Sequence, residues 1–261
     1  MTTNRLPLVF LLTILLPPGL ILSSSYFSSF DKGIDISGDN GQINWKALCS
    51  CGNLKFAFVK STEGGNGSDP YFVRNFNESL NHHLMTGIWH QFRTNEKGHD
   101  VTPEEQVENI VAALSQVNFN SSRDMIAVAT KNRPTDMEEE DEEDPALKPG
   151  PGRLTREQMS DRLYRLLRLI RDRVKVNPMI LTNDLFWNEY FHTEVRSFTQ
   201  FDLWVSYHVI TYNISDVHLR DMRPHLPDGF ASYTLWQYTN QGYLPGVKPA
   251  TDVPVSIAAR F

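Results

Sequence analysis

Carboxyl side chains at the ends of predicted strands are the groups of this sequence best placed to do chemistry. Asp35 ends the first such run, after Gly33-Ile34, and Glu63 ends the second. Asp252 lies in a run near the C-terminus. Cleavage of a glycosidic bond ordinarily uses two carboxyl groups, one that donates a proton and one that is ionised. Two of these three acids could supply such a pair if the fold brings their strand ends together.

Each of the three carboxyls also fits a structural role. Asp35 suits an Asx turn or a helix cap. Glu63 suits a buried ion pair with Lys60, three residues earlier in the chain. Asp252 suits a turn after Pro249. The sequence leaves both interpretations open for each residue.

Two further carboxyls, Asp136 and Glu138, form an Asp-x-Glu pair within a run of eight acidic side chains that ends at Asp144. Crowded like charges raise carboxyl pKa values, which suits a proton donor. A donor must also be held in place to a fraction of an ångström, which a mobile loop does not do. Asp136 and Glu138 are therefore weaker candidates.

The segment 132–153 around this run is rich in proline, glycine and acid and has almost no apolar side chains, so we expect a disordered insertion. The net charge is −6, and removing the eight acids leaves +2. A near-neutral body gives no reason to expect nucleic acid as a partner. The run itself fits a solvated linker, or alternatively a cover for a groove or a dock for a basic partner.

Aromatic side chains on predicted strands indicate a ligand with apolar faces. The flat rings of tryptophan and tyrosine offer such faces a platform, and neighbouring polar groups add hydrogen bonds. The candidate ligand-binding residues are Trp89, His90, Trp236, Gln237 and Tyr238. Packing in the core is the alternative for each ring, most of all for Trp204.

The sequence contains no pattern typical of a metal or cofactor site. Among the eight histidines, the one close pair is His82-His83, and adjacent residues on a helix point in different directions. Glycine-rich phosphate loops are absent as well. We expect neither a metal nor a cofactor.

Short apolar runs alternate with helical stretches, which predicts βα units around a parallel sheet, in the α/β class. The runs lie at 56–59, 87–90, 125–129, 179–182, 203–205 and 233–238. Thr102 before Pro103 predicts one helix start, and Thr155 with Gln158 predicts another through a capping box. Five arginines between 162 and 173 lie mainly off the apolar face of this second helix, as on a solvated face rather than a site for an anionic polymer.

The N-terminus is typical of a signal peptide over residues 1–25. Arg5 precedes the apolar stretch 6–22, which contains Pro17-Pro18 and leads into three serines. We expect a secreted, periplasmic or extracellular protein. An uncleaved membrane anchor through residues 6–22 is the alternative, and it is the one way in which a membrane would be a partner.

Several blocks of the sequence resemble, in order, the conserved strands of the family 25 glycoside hydrolases, the Chalaropsis-type lysozymes. Gly33-Ile-Asp-Ile-Ser37 with Gly41-Gln-Ile-Asn-Trp45 is similar to the opening signature of the family. The later blocks are Phe58-Val-Lys-Ser-Thr-Glu-Gly64, Asp69-Pro70, Gly87-Ile-Trp-His90, Pro178-Met-Ile-Leu-Thr-Asn183, Leu203-Trp-Val-Ser-Tyr207 and Leu235-Trp-Gln-Tyr238 with Pro245-Gly246 and Asp252. The resemblance covers residues 32–258.

The resemblance implies an irregular TIM-like β/α barrel of about eight strands with fewer helices, and a site at the C-terminal ends of the strands. It implies a monomeric muramidase that cuts the β-1,4 bonds of peptidoglycan without a cofactor. In the family pattern, Asp35, Glu63 and Asp252 occupy the positions of acidic residues of the cleft, so the resemblance makes them the candidate catalytic residues.

The sequence departs from the family at the end of the fourth strand, where an Asp-x-Glu pair supplies the general acid. The corresponding residues are Ala129, Thr130 and Lys131. An alanine carries no charge, and a lysine would have to lose much of its basicity to act as this acid. Two interpretations follow: a hydrolase that uses another acid, either Glu138 or Glu63 with the acetamido group of the substrate, or an inactive relative that binds cell-wall glycan.

Overall fold

The computed structural model describes residues 31–51, 54–96, 99–130, 154–191, 197–209, 219, 221–242, 244–247 and 255–260. The predicted export segment 1–25 lies outside these residues. So do Lys131, the acidic insertion with Asp136 and Glu138, and Asp252. Within the described part, no helix is long and apolar enough to cross a membrane.

Eleven strands and five α-helices make up the described structure. The strands are β1 (Asp31–Ile36), β2 (Leu54–Glu63), β3 (Gly67–Ser68), β4 (Met85–Gln91), β5 (Asn95–Glu96), β6 (His99–Asp100), β7 (Met125–Ala129), β8 (Met179–Thr182), β9 (Asp202–Ser206), β10 (Leu235–Gly242) and β11 (Val255–Arg260). The helices are α1 (Trp45–Cys51), α2 (Phe72–Asn81), α3 (Pro103–Leu114), α4 (Arg156–Val174) and α5 (Asp184–Tyr190).

Eight of these strands close a ring in the order β1, β2, β4, β7, β8, β9, β10, β11. The neighbours from β1 to β10 are parallel, whereas β11 runs antiparallel to both β10 and β1. Strand β3 extends β2 at the edge, and β5 with β6 forms a separate hairpin. The predicted irregular TIM-like barrel is confirmed.

Alternation along each strand sends side chains either into the barrel or to its outer face. The inner cluster fills the barrel and includes Phe58, Trp89, Ala129 and Trp204. The outer cluster lies between the barrel and the helices, and it receives the intervening residues, such as Ile88. Side chains two apart on a strand share a face, so these clusters decide which residues of a strand end can reach the barrel mouth.

The two predicted helix starts are confirmed. The Thr102 hydroxyl accepts the Glu105 amide at 3.2 Å, and the Glu105 carboxylate accepts the Thr102 amide at 2.7 Å. Thr155 and Gln158 form the same reciprocal box on α4. Helices α3 and α4 pack together.

Three of the arginines on α4 form ion pairs with neighbouring acids. Arg162 contacts Asp100 of β6 at 2.6 Å. Arg165 and Arg173 pair with Glu104 and Glu108 of α3. These arginines tie α4 to its neighbours, which agrees with a structural helix face.

Candidate functional site

The mouth of the barrel is formed by the C-terminal ends of the parallel strands. Asp35 of β1 lies there with a half-buried side chain, and its Oδ2 accepts the Nε2 amide of Gln237 at 2.6 Å. Gln237 belongs to β10, two strands away around the ring. Asp35 thus lies at the mouth, and its hydrogen-bond partner there comes from the other end of the chain.

Gln237 is itself held by two residues at the end of β9. The Ser206 hydroxyl donates to its Oε1 at 2.6 Å, and His208 Nε2 lies 3.1 Å from the same oxygen. An amide oxygen can only accept, so the hydrogen of this contact belongs to His208 Nε2. The sequence analysis missed Ser206 and His208; their place just after the run 203–205 was the available signal.

Glu63 forms a triad with Lys60 and Arg93. Its Oε2 lies 2.6 Å from Lys60 Nζ, and its Oε1 accepts from Arg93 Nε at 2.9 Å and from Arg93 Nη2 at 2.7 Å. Burial alone would raise the pKa of Glu63, but the hydrogen bonds and charges of the two cations outweigh it and lower that pKa. Glu63 is therefore ionised at neutral pH. The ion pair considered for it is present, with a second cation that the sequence analysis missed.

His90 faces outward from the barrel, towards α3. Its Nδ1 lies 2.8 Å from the Thr62 hydroxyl and its Nε2 lies 3.0 Å from Gln106 Oε1. The side chain is fully buried, and burial lowers its pKa to about 4. With both nitrogens engaged, the imidazole supports the site from behind and offers no group to a ligand in this conformation.

Gln106 couples His90 to the triad. Its Oε1 also accepts the Arg93 amide at 3.0 Å, and its Nε2 donates to the Arg93 carbonyl at 2.8 Å. Because Oε1 only accepts, His90 carries its hydrogen on Nε2. This buried chain fixes the backbone from which the Arg93 guanidinium reaches Glu63.

Trp236 and Tyr238 also lie on the outer face of their strand. They pack in a cluster with Leu203 and Val205, and the Trp236 indole donates to the Tyr207 carbonyl at 2.7 Å. The fully buried Trp236 ring presents no face to a ligand. Alternation along β10 sends the Gln237 side chain inward and those of Trp236 and Tyr238 outward. The position of Trp236 therefore does not support a ring that stacks on a ligand.

Trp89 and Trp204 lie inside the barrel. Trp89 is 8% exposed, donates from Nε1 to the Ile36 carbonyl at 3.1 Å, and carries the Lys60 ammonium 5.3 Å from its ring centroid. Trp204 is fully buried against Phe58, at 4.6 Å between centroids, and its Nε1 has no partner. Trp204 is therefore a core residue, which was the alternative interpretation of this side chain.

Strand β7 brings no ionisable group to the mouth within the described residues. Ala129 is buried inside the barrel, and its carbonyl accepts Gln91 Nε2 at 3.1 Å. Thr130 follows, also buried, with its amide bonded to the Leu181 carbonyl. The sequence analysis matched Ala129 to the first carboxyl of the Asp-x-Glu pair, and this match stays a prediction.

A cleft of about 810 Å³ opens beside the mouth. Its described lining comprises Gly38, Asp39, Lys60, Glu63, Asn66, Gly67, Ser68, Asp69, Pro70, Arg93, Asn95 and His99. Asp69 is fixed by two backbone amides, from Gly38 at 2.6 Å and Tyr71 at 2.9 Å. Among the described residues, no group of three histidines, cysteines or carboxylates is arranged to hold a metal ion.

A family profile and two kinds of relatives match the chain. The profile described as glycosyl hydrolases family 25 matches residues 34–247. The uncharacterized protein YegX of Escherichia coli strain K12 is 27% identical over 228 residues, which cover 85% of this chain and 68% of that one. Lysozyme M1 of Streptomyces globisporus is 25% identical over 221 residues, covering 85% and 66%.

Solved structures share the fold. A bacterial lysozyme from Streptomyces coelicolor has a TM-score of 0.64 at 23% identity, over 88% of this chain and 91% of that one. A family 25 glycosyl hydrolase from Bacillus anthracis has a TM-score of 0.61 at 20% identity, over 88% of each chain.

Proposed function

Because this chain belongs to the glycosyl hydrolases of family 25, we propose that it binds peptidoglycan at the barrel mouth without the standard acid catalysis of the family. The family and the fold are those of muramidase-like peptidoglycan hydrolases. The observation that carries the proposal is the buried Ala129 methyl at the end of β7, where the family pattern calls for a carboxyl.

Glu63 does not replace the missing acid. A general acid must be protonated near the working pH, whereas Lys60 and Arg93 hold Glu63 ionised. This argues against Glu63 as the donor in a mechanism that uses the acetamido group of the substrate.

The mouth retains the means to bind a glycan. Asp35 offers a half-exposed carboxylate to sugar hydroxyls, and bonds to charged groups are stronger than neutral ones. The inward-facing Trp89 lies near Asp35, since its indole donates to the carbonyl of Ile36. His90, Trp236 and Tyr238 face outward from the barrel and are not part of this surface.

Hydrolysis by other carboxyls is the second candidate function. It is favoured by Asp35, which the chain keeps at the mouth in the position of a family acid. Its partners would be Asp252 or the displaced pair Asp136 and Glu138. If the displaced pair is the partner, Glu138→Gln should lower turnover as much as Asp35→Asn. A hydrolase that is unaffected by Glu138→Gln would leave Asp252 as the partner.

The proposed ligand lies outside the cytoplasm, which agrees with the export interpretation of residues 1–25. We propose a secreted or periplasmic protein with a cleaved N-terminus. N-terminal sequencing of the protein recovered outside the cell tests this, and an intact Met1 on membrane-bound protein would favour the anchor.

The decisive experiment incubates the purified chain with insoluble peptidoglycan and measures both sedimented protein and released reducing ends. We expect binding without release. Release of reducing ends would favour the hydrolase, and the absence of both would overturn the ligand class.

Two variants on the same strand sharpen the binding measurement. Asp35→Asn removes the charge at the mouth and should weaken binding about 10- to 100-fold, as expected for the loss of a charged hydrogen bond of about 1.5–3 kcal/mol. Asp31→Asn changes an exposed residue at the opposite end of β1 and should have no effect. Equal binding by both variants would remove Asp35 from the site.

A further inference from the structure

The cleft beside the mouth differs in chemistry from a sugar-binding groove. Its volume of about 810 Å³ lies within the range of about 300–1,000 Å³ of small-molecule sites. No phenylalanine, tyrosine or tryptophan occurs among its described lining residues, and Pro70 is their one apolar side chain larger than a hydrogen. Rings are what the apolar faces of sugars pack on, so this lining suits a different ligand.

Charged groups of both signs dominate the lining. The acidic side chains are Asp39, Glu63 and Asp69, the basic or titratable ones are Lys60, Arg93 and His99, and Asn66, Ser68 and Asn95 add neutral polar groups. A ligand that matches this surface carries carboxylates, an ammonium group and amides together. A short peptide with a free amine has this composition, and a neutral sugar chain does not.

The charges are held in position before any ligand arrives. The triad of Lys60, Glu63 and Arg93 is closed by contacts of 2.6–2.9 Å. Asn109 Nδ2 bonds the carbonyls of Glu63, Gly64 and Gly67, at 2.9–3.3 Å, and so braces the β2–β3 turn that forms one wall. A pre-organised site loses less entropy when a ligand binds.

The cleft also connects directly to the mouth. Gly38 and Asp39 of its lining follow Asp35 on the same segment. On the other side, Lys60 lies over the ring of Trp89, which faces the barrel interior. A substituent on a sugar bound at Asp35 would therefore extend towards the cleft.

We propose that this cleft binds the peptide substituent of cell-wall glycan, recognising its carboxylates and free amine through the mixed charges of the lining. This inference rests on the proposed function, since the glycan at the mouth is what brings the peptide to the cleft.

The test compares three ligands on the full, unaltered chain by calorimetry: a soluble disaccharide that carries its peptide, glycan strands stripped of peptide by an amidase, and the free peptide. We expect the stripped glycan to bind at least tenfold more weakly than the peptide-bearing ligand, and the free peptide to bind measurably. Equal affinity for stripped and intact ligands would overturn the inference while leaving glycan binding in place.

A variant locates the effect. Ser68→Tyr fills the exposed rim of the cleft, and it should reduce the affinity for the peptide-bearing ligand to that of stripped glycan, without changing the latter. Ser121→Tyr, exposed in the turn before β7 at the other end of the barrel, should change neither.

If stripped glycan fails to bind but the free peptide binds in a Ser68-dependent manner, the proposed function fails and the cleft assignment stands. A peptide affinity that is absent, or unaffected by Ser68→Tyr, contradicts the cleft assignment.

Discussion

The amide of Gln237 has a single orientation that its neighbours allow. Ser206 and His208 both approach its Oε1, so its Nε2 points at the Asp35 carboxylate. Reversal of the amide would place its oxygen against a carboxylate oxygen at 2.6 Å, with no hydrogen between them. The carboxylate is thus positioned by a residue that cannot take part in proton transfer, which suits a binding site better than an acid pair.

Introducing the two carboxyls of the family pattern tests the proposed loss of the standard mechanism at residue scale. We expect Ala129→Asp with Lys131→Glu to give measurable release of reducing ends from peptidoglycan, because these substitutions supply a general acid and its companion. The unpartnered indole of Trp204 lies in the same inner cluster as Ala129, and it is a donor that a new carboxylate can use.

The matched control is Ala129→Asn with Lys131→Gln, which has nearly the same size but no acid. It should bind glycan and release nothing. If the carboxyl variant folds but releases no more reducing ends than this amide variant, the two carboxyls alone are not sufficient for hydrolysis.

His90 makes stability depend on pH. Burial lowers the pKa of His90 to about 4, whereas an unfolded histidine titrates near 6.5. Between these values the unfolded chain binds a proton that the folded one does not, so the free energy of unfolding falls on acidification from pH 6.5 to 4, by about 3 kcal/mol in total.

Urea denaturation at pH 7, 6 and 5 measures this slope. His90→Gln replaces the imidazole by an amide that does not titrate. The free energy of unfolding of this variant should depend less on pH than that of the parent. His83→Asn, at an exposed histidine with a positive φ that asparagine tolerates, serves as the control. Identical slopes for the parent and His90→Gln would contradict the assignment.

At the scale of elements, two strand glycines make room for rings of the neighbouring strand. Gly33 pairs with Phe56 and Gly87 pairs with Phe58 in the register of the sheet. A Cβ at Gly87 would lie 2.4 Å from the Phe58 ring, and one at Gly33 would lie 2.1 Å from the Phe56 ring. These glycines let large rings fill the barrel interior below the mouth.

Gly87→Ala should therefore destabilise the barrel by about 1–3 kcal/mol, the usual cost of overpacking a core. Phe58→Leu frees the space, so the double variant should lose less stability than the sum of the two single variants. Urea denaturation of the four proteins completes the cycle. Strict additivity would mean that the ring and the added methyl group do not meet.

The sequence predicted elements better than it predicted contacts. The caps at Thr102 and Thr155 and the strand runs are local signals, and they were confirmed. The bond between Gln237 and Asp35 joins residues 202 positions apart, and no local pattern encodes such a pair.

Other features of the site were within reach of the sequence. Alternation along β4 and β10 already separates Trp89 from His90, and Gln237 from Trp236. Because neighbours on a strand point to opposite faces, Trp89 with His90, or Trp236 with Gln237, cannot form one ligand-binding surface.

At the scale of the whole molecule, ring closure depends on the last described strand. β11 lies between β10 and β1 and pairs antiparallel with both, with Asp31 opposite Arg260 and Trp236 opposite Ala259. The first strand of the barrel is therefore held between β2 and a strand from the far end of the chain. Contacts so distant in sequence form late and at a high entropic cost, and they make the barrel a single cooperative unit.

Truncation after residue 254 removes β11 and exposes the edges of β1 and β10 together. Because unpaired backbone groups at a barrel edge lose their partners and invite association, we expect this variant to lose its cooperative urea transition and to form larger species on size exclusion. Removal of Phe261 alone, which lies beyond β11, should leave both measurements unchanged. A truncated chain that unfolds at the midpoint of the parent would show that the seven-strand parallel sheet is stable as an open structure, and that Asp35 and Gln237 meet without closure of the ring.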